Sequence, residues 1–255
     1  MTKPGPAMRS AGNSHIGKVR TTNEDALIVE PRLGLYAVLD GMGGANAGDV
    51  AAQVARDAVR EFVHQHRTAL PPRELLEAAI VGASAAVFGE SQRHRDRHGM
   101  GTTVVACLVV DAQRVVIGHV GDSRAYLWRD GRLQAMTRDH TIVEELVDRG
   151  LLSAEEAERH PYKNVLSRNL GAKPETRVDC LHLELRPGDR LLLCSDGLTD
   201  MVKESEIAEV LASRAASEDA CGALVDLALE HGGRDNVTVI VTTIHFDEPG
   251  GNPGR

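Results

Sequence analysis

Short β-branched runs separated by only two or three residues are the feature that most constrains this chain. TTVVACLVV (102–110), RVVIGHV (114–120) and RAYLW (124–128) follow one another closely. Links as short as Asp111-Ala112-Gln113 and Asp130-Gly131 join antiparallel neighbours, because a parallel crossover needs about a dozen residues or more. A Rossmann-like alternation is therefore not expected. ALIVE (26–30), LYAVLD (35–40), VDCLHLEL (178–185), RLLLCS (190–195) and NVTVIVTTI (236–244) also read as strands. Ala, Leu and Val recur at helical spacing over 48–67, 73–93, 203–213 and 218–230, so helix pairs bracket the strand groups in an α+β layered domain. Residues 138–176 differ in character: polar helical pieces such as TIVEELVDRG and a capping-box start from Ser153 to Glu156 read as a lid-like flap insertion.

A length of 255 residues with 42% apolar content supports a real core. No repeat or linker splits the middle, so one domain over 12–246 is expected, with Gly/Pro-rich disordered tails at 1–11 and 247–255. The 29 basic and 37 acidic residues give a net charge of −8, which leaves no overall electrostatic case for a nucleic-acid or membrane partner and favours something cationic. Cys107, Cys180, Cys194 and Cys221 lie far apart without CxxC spacing, as reduced core thiols do. The start lacks the apolar segment of a secretory signal, no run reaches the length of a membrane span, and a cytoplasmic location is expected.

Apolar runs repeatedly stop on carboxylates. LYAVLDGMGG ends on Asp40, RLLLCSDG on Asp196, and VVIGHVGDSR reaches Asp122; Asp235 precedes the last strand, and Glu24 and Asp25 precede ALIVE. Singly, each Asp-Gly is a turn dipeptide, which is all that Asp130-Gly131 is read to be. Together, strand ends in a layered domain can converge on one rim, where several carboxylates repel unless a cation neutralises them. The donor set is oxygen-only and the eleven histidines form no HExxH cluster, so magnesium or manganese fits better than zinc. Gly41 and Gly43-Gly44 leave a backbone carbonyl free to coordinate and let an oxyanion approach. So many carboxylates suggest two ions, the arrangement that hydrolyses phosphate esters, with Arg20 supplying paired N–H donors to the non-bridging oxygens.

In order along the chain, GKVRTTNEDA (17–26), VLDGMGG (38–44), GMGTTVV (99–105), HVGDSRAYL (119–127), MTRDHT (136–141), VLSRNLG (165–171), LLLCSDGLTD (191–200) and GGRDNVTVI (232–240) resemble the metal-dependent type 2C (PPM) serine/threonine protein phosphatases in their bacterial form. The resemblance implies a four-layer αββα sandwich of two antiparallel sheets flanked by helix pairs. It also implies hydrolysis of phosphoserine and phosphothreonine in proteins by a water activated between two manganese or magnesium ions. Asp40, Asp196 and Asp235 would hold one ion, and Glu24, Asp40 and the Gly41 carbonyl the other. Asp25 would orient waters, Asn236 would support Asp235, and Asp122 with Asp196 would take a third, weaker ion. Arg20 falls on the phosphate-binding arginine. The implied partners are phosphorylated proteins, among them a Ser/Thr kinase and its substrates, acted on by a monomer. Relatives often carry histidines where Met42 and Ala45 stand here, so protonation of the leaving alkoxide comes from elsewhere.

Two rival readings differ in chemistry. Cys180 and Arg186 have the C-x5-R spacing of cysteine phosphatases, but the intervening Leu-His-Leu-Glu-Leu alternates like a half-buried strand and not like a phosphate cradle. A pseudophosphatase serving as a phosphoprotein-binding module would be signalled by loss of Asp40, Asp196 or Asp235, and all three are present. His119 lies inside a strand and reads as a core histidine, whereas His140 and His160 border the flap as candidates for substrate contact.

Overall fold

The structure is a computed structural model that describes residues 7–43, 47–111 and 113–245. In chain order the first half contains β1 (Ala7–His15), β2 (Asp25–Glu30), β3 (Leu35–Met42), α1 (Ala47–His66), α2 (Pro72–Arg93), β4 (Gly101–Thr102), β5 (Val104–Val109), β6 (Arg114–Val120), β7 (Arg124–Arg129) and β8 (Arg132–Ala135). The second half contains α3 (Ile142–Asp148), α4 (Ala154–Glu158), β9 (Asp179–Glu184), β10 (Arg190–Cys194), α5 (Asp196–Thr199), α6 (Glu204–Ser213), α7 (Ser217–Glu230) and β11 (Val237–His245). One sheet has the order β1-β11-β10-β7-β8 and the other β2-β3-β5-β6-β9, with β4 paired to β3. Every named pairing is antiparallel.

Alternation along the strands builds the four layers. In β3, Leu35, Ala37 and Leu39 join the core beneath α1 and α2, while Tyr36 and Val38 face the core between the sheets. In β10, Leu192 and Cys194 pack toward α6 and α7, while Leu191 and Leu193 face inward. The result is the αββα sandwich, with both faces of the central strands buried and hence their near-continuous apolar runs.

Both short links behave as expected. β5 and β6 pair antiparallel around residue 111, and β7 and β8 close on Asp130 at φ 50° and Gly131 at φ 76°, the two left-handed positions a tight hairpin requires. The equally short Gly121-Asp122-Ser123 link does something else: it carries the chain from β6 in one sheet to β7 in the other. Gly121, at φ 109°, makes that sharp passage possible.

The N-terminal expectation needs correction, because β1 begins at Ala7, inside the stretch read as a tail. Pairing of Ala7–His15 with all of β11 supplies its backbone hydrogen bonds. Ser217 Oγ and Cys221 Sγ of α7 donate to the Arg9 and Ala11 carbonyls, so β1 is held without an apolar signature. The remaining tail residues, 1–6 and 247–255, and positions 44 and 45 lie outside the described residues. In the flap, Ser153 caps α4 in the expected reciprocal box with Glu156. A bridge between Thr141 and Leu166 closes the flap's neck.

Candidate metal centre and phosphate site

Strand ends from both sheets meet at one rim. Asp25 and Asp40 are register partners on β2 and β3. Asp122 enters from the β6–β7 passage, Asp196 opens α5 directly after β10, and Asp235 precedes β11. Asp40, Asp122, Asp196 and Asp235 line one cavity of about 270 Å³ together with Arg20, Glu24, Gly41 and Asn236. Asp25 lies beside it, half-buried, where its Oδ2 accepts the Ser195 hydroxyl at 2.9 Å across the two sheets.

Backbone contacts fix each carboxylate's origin. Asp40 donates its N–H to Thr103 Oγ1 at 3.0 Å, and its carbonyl accepts the Thr103 N–H at 2.9 Å and the Thr102 hydroxyl at 2.9 Å. Thr103 in turn shares a 2.6 Å hydrogen bond with Ser123, tying Asp40 to the turn that carries Asp122. Gly41 has no room for a side chain, since a Cβ there would overlap the Gly48 and Glu24 carbonyls. The Glu24 carboxylate is bonded by the Gly48 backbone at the start of α1, and a Cβ on Gly48 would come within 2.7 Å of its Oε1. Asn236 ties down the loop that bears Arg20 and Glu24: its Oδ1 accepts the Glu24 N–H at 2.7 Å, and its Nδ2 donates to the Ile16 and Thr22 carbonyls at 2.9 and 3.0 Å.

Electrostatically the rim is under strain. Burial, then the neighbouring Asp25, Asp196 and Asp122, push the Asp40 carboxyl well above the usual carboxylate range. Burial pushes Asp25 up to about 7, with Asp196 and Asp235 adding to the effect against the Ser195 and Thr238 hydroxyls. Asp122 rises to about 8 through burial and Asp196, and Asp196 to about 6 through burial, Asp200 and Asp235. Each of these carboxyls therefore favours the neutral form or a cation beside it.

These residues fit a hard divalent cation. All side-chain donors are oxygens, they raise one another's affinity for positive charge, and Asp25 Oδ1 is buried with no partner among the described residues. As they stand, no three acidic side chains among the described residues already enclose a cation site, and Asp235 is engaged by Arg20 Nη2 at 2.6 Å. That Asp235 contact raises the Arg20 pKa and leaves the half-exposed guanidinium at the cavity mouth.

The other candidates separate cleanly. Met42 lines the cavity, its sulfur 4.0 Å from Asn169 Nδ2, and no histidine is among the lining residues. Cys180 sits in β9 as a strand residue, with its thiol pushed by burial up to about 11. His119 is buried, as expected of a core histidine. His140 is buried as well and faces inward, away from any substrate-contact role. Thr103, Ser123 and Ser195, which hold the carboxylates, were not singled out by sequence; their only signal is a hydroxyl residue beside each motif aspartate or its partner strand.

The family profile for protein phosphatase 2C matches residues 11–230. Serine/threonine protein phosphatase PstP of Mycobacterium tuberculosis is 40% identical over 240 residues, covering 93% of this chain but 45% of that protein, so the chain spans about half the length of this relative. Serine/threonine phosphatase stp of Listeria monocytogenes is 37% identical over 240 residues, covering 92% of this chain and 95% of its own. The structure of the PstP catalytic domain in complex with two manganese ions is similar at a TM-score of 0.84 and 37% identity, covering 94% of this chain and 99% of that one. With two sheets meeting at a carboxylate rim and relatives aligned along nearly their whole catalytic length, this chain belongs to the protein phosphatase 2C family.

Proposed function

We propose that this chain hydrolyses phosphoserine and phosphothreonine in proteins, dependent on two manganese or magnesium ions. The observation that carries the reading is the convergence of Asp40, Asp122, Asp196 and Asp235 on one small cavity with Arg20 at its mouth. Asp40, Asp196 and Asp235 would hold one ion, Glu24, Asp40 and the Gly41 carbonyl the second, and Asp122 with Asp196 a third, weaker one. PstP's catalytic domain was solved with two manganese ions, and the oxygen-only donor set here supports the same chemistry. When bound, such ions supply an activated water and neutralise charge developing on the phosphate.

The chain's own residues do the rest. Arg20 exchanges its Asp235 contact for the non-bridging phosphate oxygens, to which a guanidinium presents two parallel N–H groups. Asp25, fixed by Ser195 at 2.9 Å, would orient water with its Oδ1, which has no partner among the described residues. Asn236 keeps Glu24 and Arg20 in register with Asp235. No described residue lining the cavity is an imidazole, and the proton for the leaving serine would come from elsewhere. Phosphoproteins are the substrates, a Ser/Thr kinase is the opposing partner, and the chain acts as a cytoplasmic monomer. No helix among the described residues is long and apolar enough to cross a membrane.

The test is hydrolysis of p-nitrophenyl phosphate and a phosphothreonine peptide with and without manganese. Metal-dependent turnover of both is expected, abolished in Asp196→Asn with the fold retained and with KM chiefly raised in Arg20→Ala. Absence of turnover in the metal-loaded wild type would leave only a phosphoprotein-binding module, and near-wild-type rates in Asp196→Asn would remove the carboxylate rim from the chemistry.

A further inference from the structure

We propose that His140, anchored by Asp179, is a positioning residue that ties the turn bearing Asp122 to the neck of the flap. The proposal rests on the cation-binding reading of Asp122 and concerns what holds that carboxylate in place.

His140 grips Gly121 twice: its backbone N–H donates to the Gly121 carbonyl at 2.8 Å, and its Nδ1 accepts the Gly121 N–H at 3.1 Å. Because Nδ1 is an acceptor, the ring proton lies on Nε2, which faces Asp179 Oδ2 at 3.1 Å. Asp179 is held from its other oxygen by Arg168 Nη1 at 3.1 Å, and Arg168 also donates to the Arg177 carbonyl. The His119 ring lies tilted by 37° against the His140 ring with centroids 4.4 Å apart, backing it from the β6 side. The grip falls on the residue immediately before Asp122, at φ 109°, where the chain leaves one sheet for the other. A peptide in that conformation, with both polar groups bonded to one residue, has little freedom left to carry Asp122 away from the rim.

The same residue is the flap's hinge point. The Ser167 N–H donates to the His140 carbonyl at 2.8 Å, and the Thr141–Leu166 bridge follows at once, so the segments entering and leaving the flap are joined at His140. Asp122 lines the 270 Å³ cavity and also a larger cleft, about 450 Å³, whose wall includes Val143 and Ala157 of the flap helices. The geometry therefore places one buried side chain between the flap's root and the carboxylate that both spaces share.

The experiment is manganese binding to the full chain, followed by electron paramagnetic resonance of free Mn²⁺, for the wild type, Asp122→Asn, His140→Ala and Asp179→Asn, with thermal unfolding of each. Expected are loss of the weakest binding event in Asp122→Asn and a weakening of that same event by about tenfold in His140→Ala, tighter events being unchanged. Asp179→Asn, at a half-exposed site where an unchanged unfolding temperature is expected, should weaken it in the same direction by a smaller factor, and it decides the matter if His140→Ala fails to fold. Wild-type binding of the weakest ion in both His140→Ala and Asp179→Asn overturns the positioning role and leaves the metal reading standing. Equal weakening of every event also overturns it, since that marks a general loss of structure. No manganese binding to the wild type overturns the metal reading and the proposal together.

Discussion

Replacing Asn236 by alanine tests whether the loop carrying Arg20 and Glu24 is held by one side chain. Asn236 is 4% exposed and makes three hydrogen bonds, accepting from Glu24 N–H and donating to the Ile16 and Thr22 carbonyls. Each such bond contributes ~1 kcal/mol net, and truncation leaves the buried partners unsatisfied, so Asn236→Ala should cost ~3 kcal/mol of stability. Asn236→Asp should cost more, because it keeps the acceptor but aims a carboxylate at two carbonyl oxygens that had received N–H groups. Urea denaturation gives the free energies, and amide exchange gives the location: Glu24 N–H should lose protection ahead of the strand amides of β10. A cost below ~1 kcal/mol for alanine, or aspartate tolerated better than alanine, would refute the assignment of the loop's hold to this amide. So would a Glu24 amide that exchanges as slowly as in the wild type.

Gly197→Ala should cost ~3 kcal/mol or prevent folding, since a Cβ there would overlap the Asn236 carbonyl; soluble yield and urea midpoints check this. His119, whose pKa burial and the facing His140 and Arg168 lower to about 3 against the opposing pull of the Gly121 backbone and Asp179, stays neutral in the folded chain. Its contribution is therefore present above pH 6.5 and lost as pH falls toward 3, so near pH 5 the wild type should lose stability about 1.4 kcal/mol per pH unit faster than His119→Phe, and identical slopes would be contrary to this. Burial pushes the Cys107, Cys194 and Cys221 thiols up to about 12, so iodoacetamide at neutral pH should leave turnover intact; rapid inactivation would revive a cysteine mechanism. Manganese at about a hundredfold its dissociation constant should stabilise the fold by ~2.7 kcal/mol, read as a rise in Tm that EDTA reverses.

How far sequence reaches into this fold depends on the range of the contacts. The β5–β6 and β7–β8 hairpins are legible because so short a link excludes a parallel crossover, though the equally short Gly121-Asp122-Ser123 shows that length alone does not fix which sheet the next strand joins. β1 is not, because Arg9, Ser10, Gly12 and Asn13 show no strand pattern; β1 exists through backbone pairing with β11, more than 220 positions away. The carboxylates are legible as strand ends, but the order in which two sheets bring those ends together is not local information. His140 shows the limit most clearly. As a letter it is a polar residue beside a flap, and only the Gly121 turn folding back under it reveals that its ring points into the protein.

The same reasoning explains why the rim tolerates its own repulsion. Asp25, Asp40 and Asp122 come from strands or a turn of the β2-β3-β5-β6-β9 sheet, whereas Asp196 and Asp235 come from the other sheet. What presses them together is the apolar layer between the sheets, where Tyr36, Val38, Val105 and Ile117 meet Leu127, Leu191, Leu193 and Ile240. That burial is worth on the order of 1.5–3 kcal/mol per large side chain, enough to hold carboxylates in a place where their pKa values rise to about 6, 7 and 8. A fold that spends stability in this way keeps a concentrated negative field at one rim, and every residue found bracing it, Thr103, Ser123, Ser195, Asn236 and His140, does so through backbone or hydroxyl contacts that add no compensating positive charge. Arg124 and Lys163 offset part of the charge at Asp122 and Asp196, and Arg20, which contacts Asp235, is half-exposed and able to leave. On the proposed reading, the remaining neutralising charge is supplied from outside, by the metal ions.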